Sequence, residues 1–235
     1  LHKIRIQVAS VYLFLFFTFS YISLSKDNEL WTGYEWQFPI TNELSLKFGE
    51  QVRMYRDVTT VKQLLNDFGF KSEVFDFLDA TAYYRLRMKQ DNPTTQTFLP
   101  YHELNLALTA GYEYKPVDFS FRMRYQKEFR DDKKSDDEYL RSRILAETKI
   151  TKELRPFVYY ELFYRMNYHK GDRFDNYRLG LGMEWRAFKN VKFEAMYSIE
   201  EEFNMEDPQS KNIFGLNVSF SLDKSESEKA GAGID

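Results

Sequence analysis

Two pairs of arginines, each pair separated by one residue, are the side chains in this sequence whose spacing most directly suggests chemistry. Arg122 and Arg124 lie in one run of alternating polar and apolar residues, and Arg141 and Arg143 lie in the next run. Residues two apart in an extended strand point to the same side of the sheet. The two runs therefore predict a local ladder of guanidinium groups, a chemistry that binds anions.

These arginines belong to a larger set of charged side chains on one side of the predicted strands. Positive and negative charges nearly balance in that set, because ten arginines face nine carboxylates when Asp79, Glu103 and Glu200 are included. The candidates for lining a shared interior are Arg53, Arg85, Arg87, Glu113, Arg122, Arg124, Glu128, Arg141, Arg143, Glu147, Glu161, Arg165, Arg178, Glu184, Arg186 and Glu194. Two interpretations stay open: a constricted polar pore with an electrostatic filter, or an interior packed with ion pairs that admits little or nothing.

Eleven stretches with apolar residues at alternate positions are the elements that must position these side chains. Most are about 10 to 13 residues long, above the mean of about 5 to 6 for soluble strands and near the 9 to 11 that cross a membrane at a tilt. The predicted strands are 29–38, 44–56, 64–74, 78–88, 102–114, 119–129, 139–149, 156–166, 175–187, 191–202 and 211–222.

The connections between these stretches are of two kinds, short turns and longer polar loops, as in transmembrane barrels. The longer loops, which we expect at the cell exterior, are 89–101, 130–138, 167–174 and 204–210. Because single-chain bacterial barrels usually have an even number of strands, we expect about twelve strands, or ten if 57–77 is irregular. The predicted fold is an all-β, antiparallel up-and-down transmembrane barrel.

Glycines and aromatic residues predict which side of the sheet faces lipid. Glycine relieves crowding on the concave side of a curved sheet, and the glycines within strands fall on the polar side, which is therefore predicted to face the lumen. They are Gly33, Gly49, Gly69, Gly111, Gly180, Gly182 and Gly215. Phe119 and Phe129 end one strand on the apolar side, as expected of an interfacial girdle. Lys127 is an exception on that side, and we expect it to reach towards head groups.

The two ends of the sequence differ from its middle. A short basic start, an apolar run over 8–24 and the small-x-small triplet 23–25 are typical of a cleaved signal peptide. The sequence thus predicts a signal peptide at 1–25, a barrel at 26–222 and a polar tail at 223–235. A mean hydropathy of -0.58 excludes a helical membrane protein, and a net charge of -3 gives no reason to expect nucleic-acid binding.

The sequence lacks the common motifs for catalysis. Neither His102 nor His169 is followed two residues later by serine, so the His-x-Ser pair of outer-membrane phospholipases and lipid A deacylases is missing. The acidic pairs Asp131-Asp132 and Asp136-Asp137 are predicted to be a solvated loop, with cation bridging to lipopolysaccharide as the lesser alternative. No Gly-rich phosphate loop, HExxH or EF-hand pattern occurs. The sequence predicts no enzyme, no cofactor and no metal site.

Several segments, taken in order, resemble a known family. They are Glu29–Trp31, Leu44–Arg53, Asp67–Gly69 followed by Tyr83–Arg87, Tyr159–Arg165 and Asn176–Gly182. Together they are similar to the family known as domain of unknown function 2490, outer-membrane β-barrels of Gram-negative bacteria. The resemblance covers most of 29–222 and implies a barrel in the outer membrane, without an activity or catalytic residues.

The functional expectation is accordingly coarse. We expect a narrow polar channel or a structural component of the outer membrane. An accessory barrel that binds a partner through its outer loops is the alternative, and a soluble periplasmic barrel with an apolar ligand is a further one. The expected partners in the membrane are outer-membrane lipid and lipopolysaccharide. The barrel assembly machinery is expected as a partner during biogenesis, because Gly215–Phe220 resembles the C-terminal signal that this machinery reads.

Overall fold

The computed structural model describes residues 27–92, 97–129, 137–168 and 170–222. The predicted signal peptide and polar tail lie outside these ranges, as do His169 and the pair Asp131-Asp132. Those expectations therefore stay predictions from the sequence.

Eleven β-strands of the described ranges form a closed barrel in which strands consecutive in the chain are neighbours. They are β1 (Asn28–Pro39), β2 (Leu44–Tyr55), β3 (Thr60–Phe75), β4 (Leu78–Asn92), β5 (Thr97–Tyr114), β6 (Val117–Phe129), β7 (Asp137–Thr148), β8 (Leu154–Met166), β9 (Arg173–Phe188), β10 (Val191–Glu202) and β11 (Ser210–Ser221). Each corresponds to one predicted stretch, and the predicted fold class is confirmed. In the same ranges no helix is long and apolar enough to cross a membrane.

The strand count lies between the predicted values of about twelve and ten, and its parity decides how the barrel closes. Strands joined by hairpins run antiparallel, so the first and the eleventh strand point the same way. β1 accordingly pairs with β11 in parallel, from Asn28 opposite Asn212 to Gln37 opposite Ser221. The segment 57–77, for which an irregular structure was one option, contains β3, which pairs with both β2 and β4. The barrel is antiparallel except at this closing seam.

The connections divide the barrel into two ends. One end, called the turn end below, carries the connections 40–43, 76–77, 115–116, 149–153 and 189–190. The opposite end, called the loop end, is where β2, β4, β6, β8 and β10 end and where the strand that follows each of them begins. Residues at the middle of each strand therefore lie at mid-height of the lumen, and this placement decides which charges can meet.

The two faces of the sheet have opposite chemistry. On the outer face, Leu108 and Ile144 are 53% and 55% exposed, whereas the inward carboxylates of Glu103 and Glu161 are 1% and 2% exposed. In a soluble protein the apolar groups would be the buried ones. The predicted orientation, with the polar side facing the lumen, is the one the barrel adopts.

Aromatic side chains cluster on the outer face near both ends of the barrel. Near the turn end, the rings of Trp36 and Phe220 stack with centroids 4.3 Å apart across the closing seam. Near the loop end, Tyr164 meets Phe174 edge to face at 4.9 Å. Transmembrane barrels typically carry two such girdles of aromatic side chains, one at each membrane interface.

Lys127, the outward lysine, has a partner within the protein. Its Nζ lies 3.0 Å from Oε1 of Glu138 on the neighbouring strand. The Tyr125 hydroxyl donates a hydrogen bond of 3.0 Å to the other oxygen of Glu138. Contact with head groups is therefore not needed to neutralise this lysine, a point that single-strand alternation missed because Glu138 lies on β7.

Gly69 allows β3 and β4 to approach closely beside the lumen. A Cβ atom at this position would lie 2.2 Å from the backbone oxygen of Ala82 and 2.4 Å from Cβ of Tyr83. Both atoms belong to the paired strand, so a side chain could be accommodated only by displacing backbone. The absence of a side chain at Gly69 thereby helps to hold Tyr83 in its place in the lumen.

We expect Gly69→Ala to lower the free energy of unfolding by about 1–3 kcal/mol, the usual cost of forcing extra atoms into a packed site. The measurement is urea unfolding of the refolded barrel in lipid vesicles, followed by heat-modifiable gel mobility. Gly111→Ala is the matched control, because a Cβ there meets nothing within 4 Å. Equal effects of the two substitutions would contradict this account of Gly69.

Candidate functional site

The charged side chains predicted to line the interior meet across the lumen. Fourteen of the sixteen are buried or half-buried, whereas Glu113 and Arg186 are exposed near the turn end. Alternate residues of long strands deliver these groups to one side. Closure of the barrel then brings together charges from strands far apart in the sequence.

Glu161, near the middle of β8, is the centre of one cluster. Its carboxylate lies 2.8 Å from Arg122 Nη2, 3.0 Å from Arg141 Nη2 and 3.4 Å from Arg178 Nη1. The three arginines come from β6, β7 and β9. Arg178 in turn binds Glu200 on β10, with its Nε 2.8 Å from the carboxylate. One buried carboxylate thus gathers three guanidinium groups, an arrangement that leaves positive charge in excess.

Glu103, on β5, is the centre of a second cluster. Its two oxygens lie 3.7 Å from Arg85 Nη1 and 3.9 Å from Arg87 Nη1. Arg85 also donates two hydrogen bonds to the two carboxylate oxygens of Asp67, at 2.6 and 2.7 Å, and Arg87 binds Glu128. Such paired, charge-assisted bonds hold side chains in fixed orientations.

Gln126 links the two clusters, because it accepts a hydrogen bond of 3.0 Å from Arg141 and donates one of 3.3 Å to Glu103. We call the linked clusters the central belt. It consists of Glu103 and Glu161 with the arginines that contact them, namely Arg85, Arg87, Arg122, Arg141 and Arg178.

Trp31, on β1, fills the lumen beside the central belt. It is 5% exposed, and its indole nitrogen donates a 2.7 Å hydrogen bond to Glu29. The guanidinium carbons of Arg53 and Arg178 lie 3.7 and 4.8 Å from its ring centroid. Cation–π contacts of this kind favour a fixed ring. Trp31 was not among the predicted lumen residues, although it shares its alternation phase with Glu29 and Gly33.

Two separate cavities lie on either side of the central belt. The cavity towards the loop end has a volume of about 290 Å³ and is lined by Trp31, Arg53 and Arg178, among others. The cavity towards the turn end has a volume of about 460 Å³ and is lined by Tyr83 and Arg124, among others. Only Arg85, of the described residues, lines both cavities. The belt therefore separates the two cavities.

Positive charge predominates on the walls of both cavities, although the predicted set of charges was nearly balanced. The turn-end cavity is lined by three carboxylates and seven cationic side chains, Lys47, Lys71, Arg85, Arg122, Arg124, Arg143 and Lys192. The loop-end cavity is lined by four carboxylates and seven cationic side chains, Arg53, Arg85, Arg87, Arg141, Arg165, Arg178 and Lys211. The balance in the sequence therefore does not hold at the walls of the cavities.

The predicted guanidinium ladder lies on β6 and β7, where like charges face each other. Arg122 is directly opposite Arg143, and Arg124 is directly opposite Arg141. Like charges in these positions repel each other, and the nearest relief is the carboxylate of Glu161. That carboxylate contacts Arg122 and Arg141, although its own cross-strand partner is Arg143. Which arginine is neutralised therefore depends on how the side chains meet inside the lumen.

Other residues singled out by the sequence lie away from the lumen or at its mouth. His102 is on the outer face, with its Nδ1 2.5 Å from the hydroxyl of Tyr84. Asp137, from the second acidic pair, pairs with Arg165 at 2.6 Å. Within the described ranges, no group of three or more His, Cys, Asp or Glu side chains is placed to hold a metal ion. The expectation that the chain is not an enzyme stays a prediction.

The sequence and the fold were compared with known proteins. The profile of a family described as "Protein of unknown function (DUF2490)" matches residues 28–211. The chain is similar to a solved structure described as "NanC porin structure in rhombohedral crystal form", with a TM-score of 0.53, 13% identity, and coverage of 83% of this chain and 99% of that chain. It is also similar to "LpxR from Salmonella typhimurium", with a TM-score of 0.46, 10% identity and coverage of 75% and 83%.

A comparison with curated proteins finds no match. At 13% identity the likeness to the NanC porin concerns the barrel fold alone.

Proposed function

The chain belongs to the DUF2490 family, whose description assigns no function, and we propose that it is an outer-membrane barrel that forms a narrow channel with a preference for anions. The observation that carries the proposal is the excess of cationic side chains on the walls of both lumen cavities. A passage lined by one sign of charge concentrates the opposite ions and repels ions of its own sign.

The outer face supports the membrane location. Leu108, Ile144 and Leu179 are each more than half exposed, and they belong to an apolar surface that continues around the barrel. Monomeric soluble proteins rarely expose apolar patches larger than a few hundred Å², so this surface argues against the soluble ligand-binding alternative. Lipid acyl chains, with lipopolysaccharide in the outer leaflet, are its proposed surroundings.

The last strand supports a role for the barrel assembly machinery in biogenesis. Leu216, Val218 and Phe220 alternate with Gly215 and polar residues on β11, and the outward position of Leu216 leaves it 53% exposed. This is the alternation expected of a terminal strand that an assembly machinery receives. The loop end is proposed to face the cell exterior, because outer-membrane barrels carry their longer loops on that side.

The central belt supports a narrow channel over a wide one. Its two carboxylates each hold more than one guanidinium group, with Glu161 contacting three arginines and Glu103 two. An ion must pass these groups without a wide aqueous path, which predicts low conductance. A lumen fully sealed by the belt, as in a structural barrel, is the competing outcome.

The purified barrel should form channels of low conductance in planar lipid bilayers. In a gradient of potassium chloride, the reversal potential should have the sign of chloride preference, because cationic walls favour the anion. Heat-modifiable gel mobility of the same sample establishes that the barrel is folded. A folded barrel without conductance would support the sealed structural barrel, and a preference for potassium would contradict the electrostatic argument.

A further inference from the structure

We infer that the turn-end cavity contains a binding site for a phosphate group, built on Arg124 and Arg143. The inference deepens the proposed channel by naming a ligand class for one of its cavities. It rests on two guanidinium groups that have no carboxylate partner among the described residues of the lumen.

Arg124 and Arg143 occupy one diagonal of the four-arginine patch on β6 and β7. Both arginines of the other diagonal, Arg122 and Arg141, form ion pairs with Glu161, at 2.8 and 3.0 Å. Among the described residues no carboxylate lies within ion-pair distance of Arg124 or Arg143. Two positive charges therefore remain next to each other on the wall of the cavity.

Part of the hydrogen-bonding capacity of the patch is also unused. The Nε atoms of Arg122 and Arg124 are buried and have no hydrogen-bond partner among the described residues. A buried N–H group of a charged side chain without an acceptor is costly. An oxyanion in the cavity would supply acceptors to these donors and negative charge to the unpaired guanidinium groups.

Aromatic rings hold the two unpaired arginines in place. The guanidinium carbon of Arg124 lies 5.5 Å from the ring centroid of Tyr83, and that of Arg143 lies 5.5 Å from the ring centroid of Tyr159. Tyr83 is shared with Arg85, whose guanidinium carbon lies 5.5 Å from the same centroid. The cationic groups are therefore oriented before any ligand arrives, which lowers the entropic cost of binding.

The spacing and the charge together indicate a phosphate group. Diagonal neighbours on adjacent strands are about 7–8 Å apart, with their Cβ atoms somewhat closer, so two arginine side chains can converge on one tetrahedral anion. A phosphate group carries about 1.5 to 2 negative charges near neutral pH, which matches two unpaired guanidinium groups. The cavity volume of about 460 Å³ is within the range of about 300–1,000 Å³ of small-molecule sites. A small solute that carries a phosphate group would therefore also fit.

The test is calorimetric titration of the folded barrel in detergent micelles, which measures binding without any ion current. Inorganic phosphate should bind saturably, with chloride as the competing salt. The variant carrying Arg124→Gln and Arg143→Gln should lose at least about tenfold in affinity, because each lost charge-assisted hydrogen bond weakens binding substantially. Lys71→Gln is the matched control, since Lys71 lines the same cavity but is already paired with Asp79 at 2.9 Å.

A second doubly substituted variant separates loss of binding from misfolding. Arg124→Lys with Arg143→Lys keeps both charges but loses the planar fork of each guanidinium, so affinity should lie between those of the wild type and the glutamine variant. Each variant is first shown to be folded by its heat-modifiable mobility. Glycerol 3-phosphate forms a parallel arm: tighter binding than inorganic phosphate would support a phosphorylated solute as the ligand, and equal binding would support free phosphate.

The inference is overturned if phosphate does not bind saturably to the wild type, or if the folded glutamine variant binds it unchanged. An equal loss in Lys71→Gln would also overturn it, since the effect would then reflect the general charge of the cavity. A barrel that conducts with chloride preference but fails these titrations would leave the proposed channel intact. A barrel that binds phosphate without conducting would remove the channel and keep the site.

Discussion

Replacing Glu161 by glutamine is expected to lower the free energy of unfolding by about 3–5 kcal/mol, the usual result of removing one partner from a buried ion pair. Glutamine has nearly the same shape, so packing changes little. Its loss of charge leaves Arg122, Arg141 and Arg178 gathered around a neutral group. The measurement is the urea midpoint of the barrel refolded in lipid vesicles, read by heat-modifiable mobility.

Glu147→Gln is the control for this prediction. Glu147 is also an inward carboxylate, but its side chain is 25% exposed and pairs with a single arginine, Arg155, at 3.2 Å. An ion pair with this much access to water contributes about 0–1 kcal/mol. A similar loss of stability in both variants would show that Glu161 is not the centre of the belt.

Replacing Trp31 by alanine is expected to increase single-channel conductance several-fold. The indole ring lines the loop-end cavity, and the guanidinium carbons of Arg53 and Arg178 lie 3.7 and 4.8 Å from its centroid. Its removal enlarges the lumen beside the belt and releases both arginines from a cation–π contact. The measurement is the current through single channels in a planar bilayer, at the same salt concentration as for the wild type.

Trp36→Ala is the matched control, because Trp36 lies on the same strand but on the outer face, where it stacks on Phe220 at 4.3 Å. This variant should keep the conductance of the wild type and lose stability in the membrane instead. An unchanged conductance in Trp31→Ala, with the barrel folded, would place the narrowest point away from Trp31. An increase in both variants would point to loosening of the whole barrel.

Much of the fold could be predicted from the sequence because strand alternation is a local property. The run from Phe119 to Phe129 shows its two faces within eleven residues, and the structure keeps that run as β6 with Arg122 and Arg124 inside. The closing seam could not be predicted in the same way. Whether β1 meets β11 in parallel or antiparallel depends on the number of strands in the whole barrel, and no local pattern contains that number.

The candidate site shows the same division at the level of single residues. Alternation placed Arg143 and Glu161 on the inward side, but it could not determine which of them would pair. They are direct cross-strand neighbours, yet Glu161 contacts Arg122, Arg141 and Arg178 instead. The ion-pair partners of long side chains depend on the distances between these side chains and on their crowding in the lumen. Both are set only when the barrel closes.

Trp31 illustrates why residue type can mislead. Aromatic residues in membrane barrels are commonly found on the outer face near the interfaces, and Trp36 and Trp185 follow that pattern. Trp31 lies inside, where Arg53 and Arg178 contact its ring and Glu29 accepts its N–H. The polar partners that make an inward tryptophan favourable come from β1, β2 and β9, and the sequence does not show that these strands meet.

The sequence by itself thus determines the strands, the face of each strand and the class of barrel, because these follow from a period of two along the chain. Only the tertiary structure decides the partners of each charge, since they depend on closure and on the curvature of the lumen. Arg122 and Arg124 are equivalent in the sequence, two residues apart on the same face. In the closed barrel, Arg122 forms an ion pair with Glu161, whereas Arg124 has no carboxylate partner among the described residues and lies at the wall of the turn-end cavity.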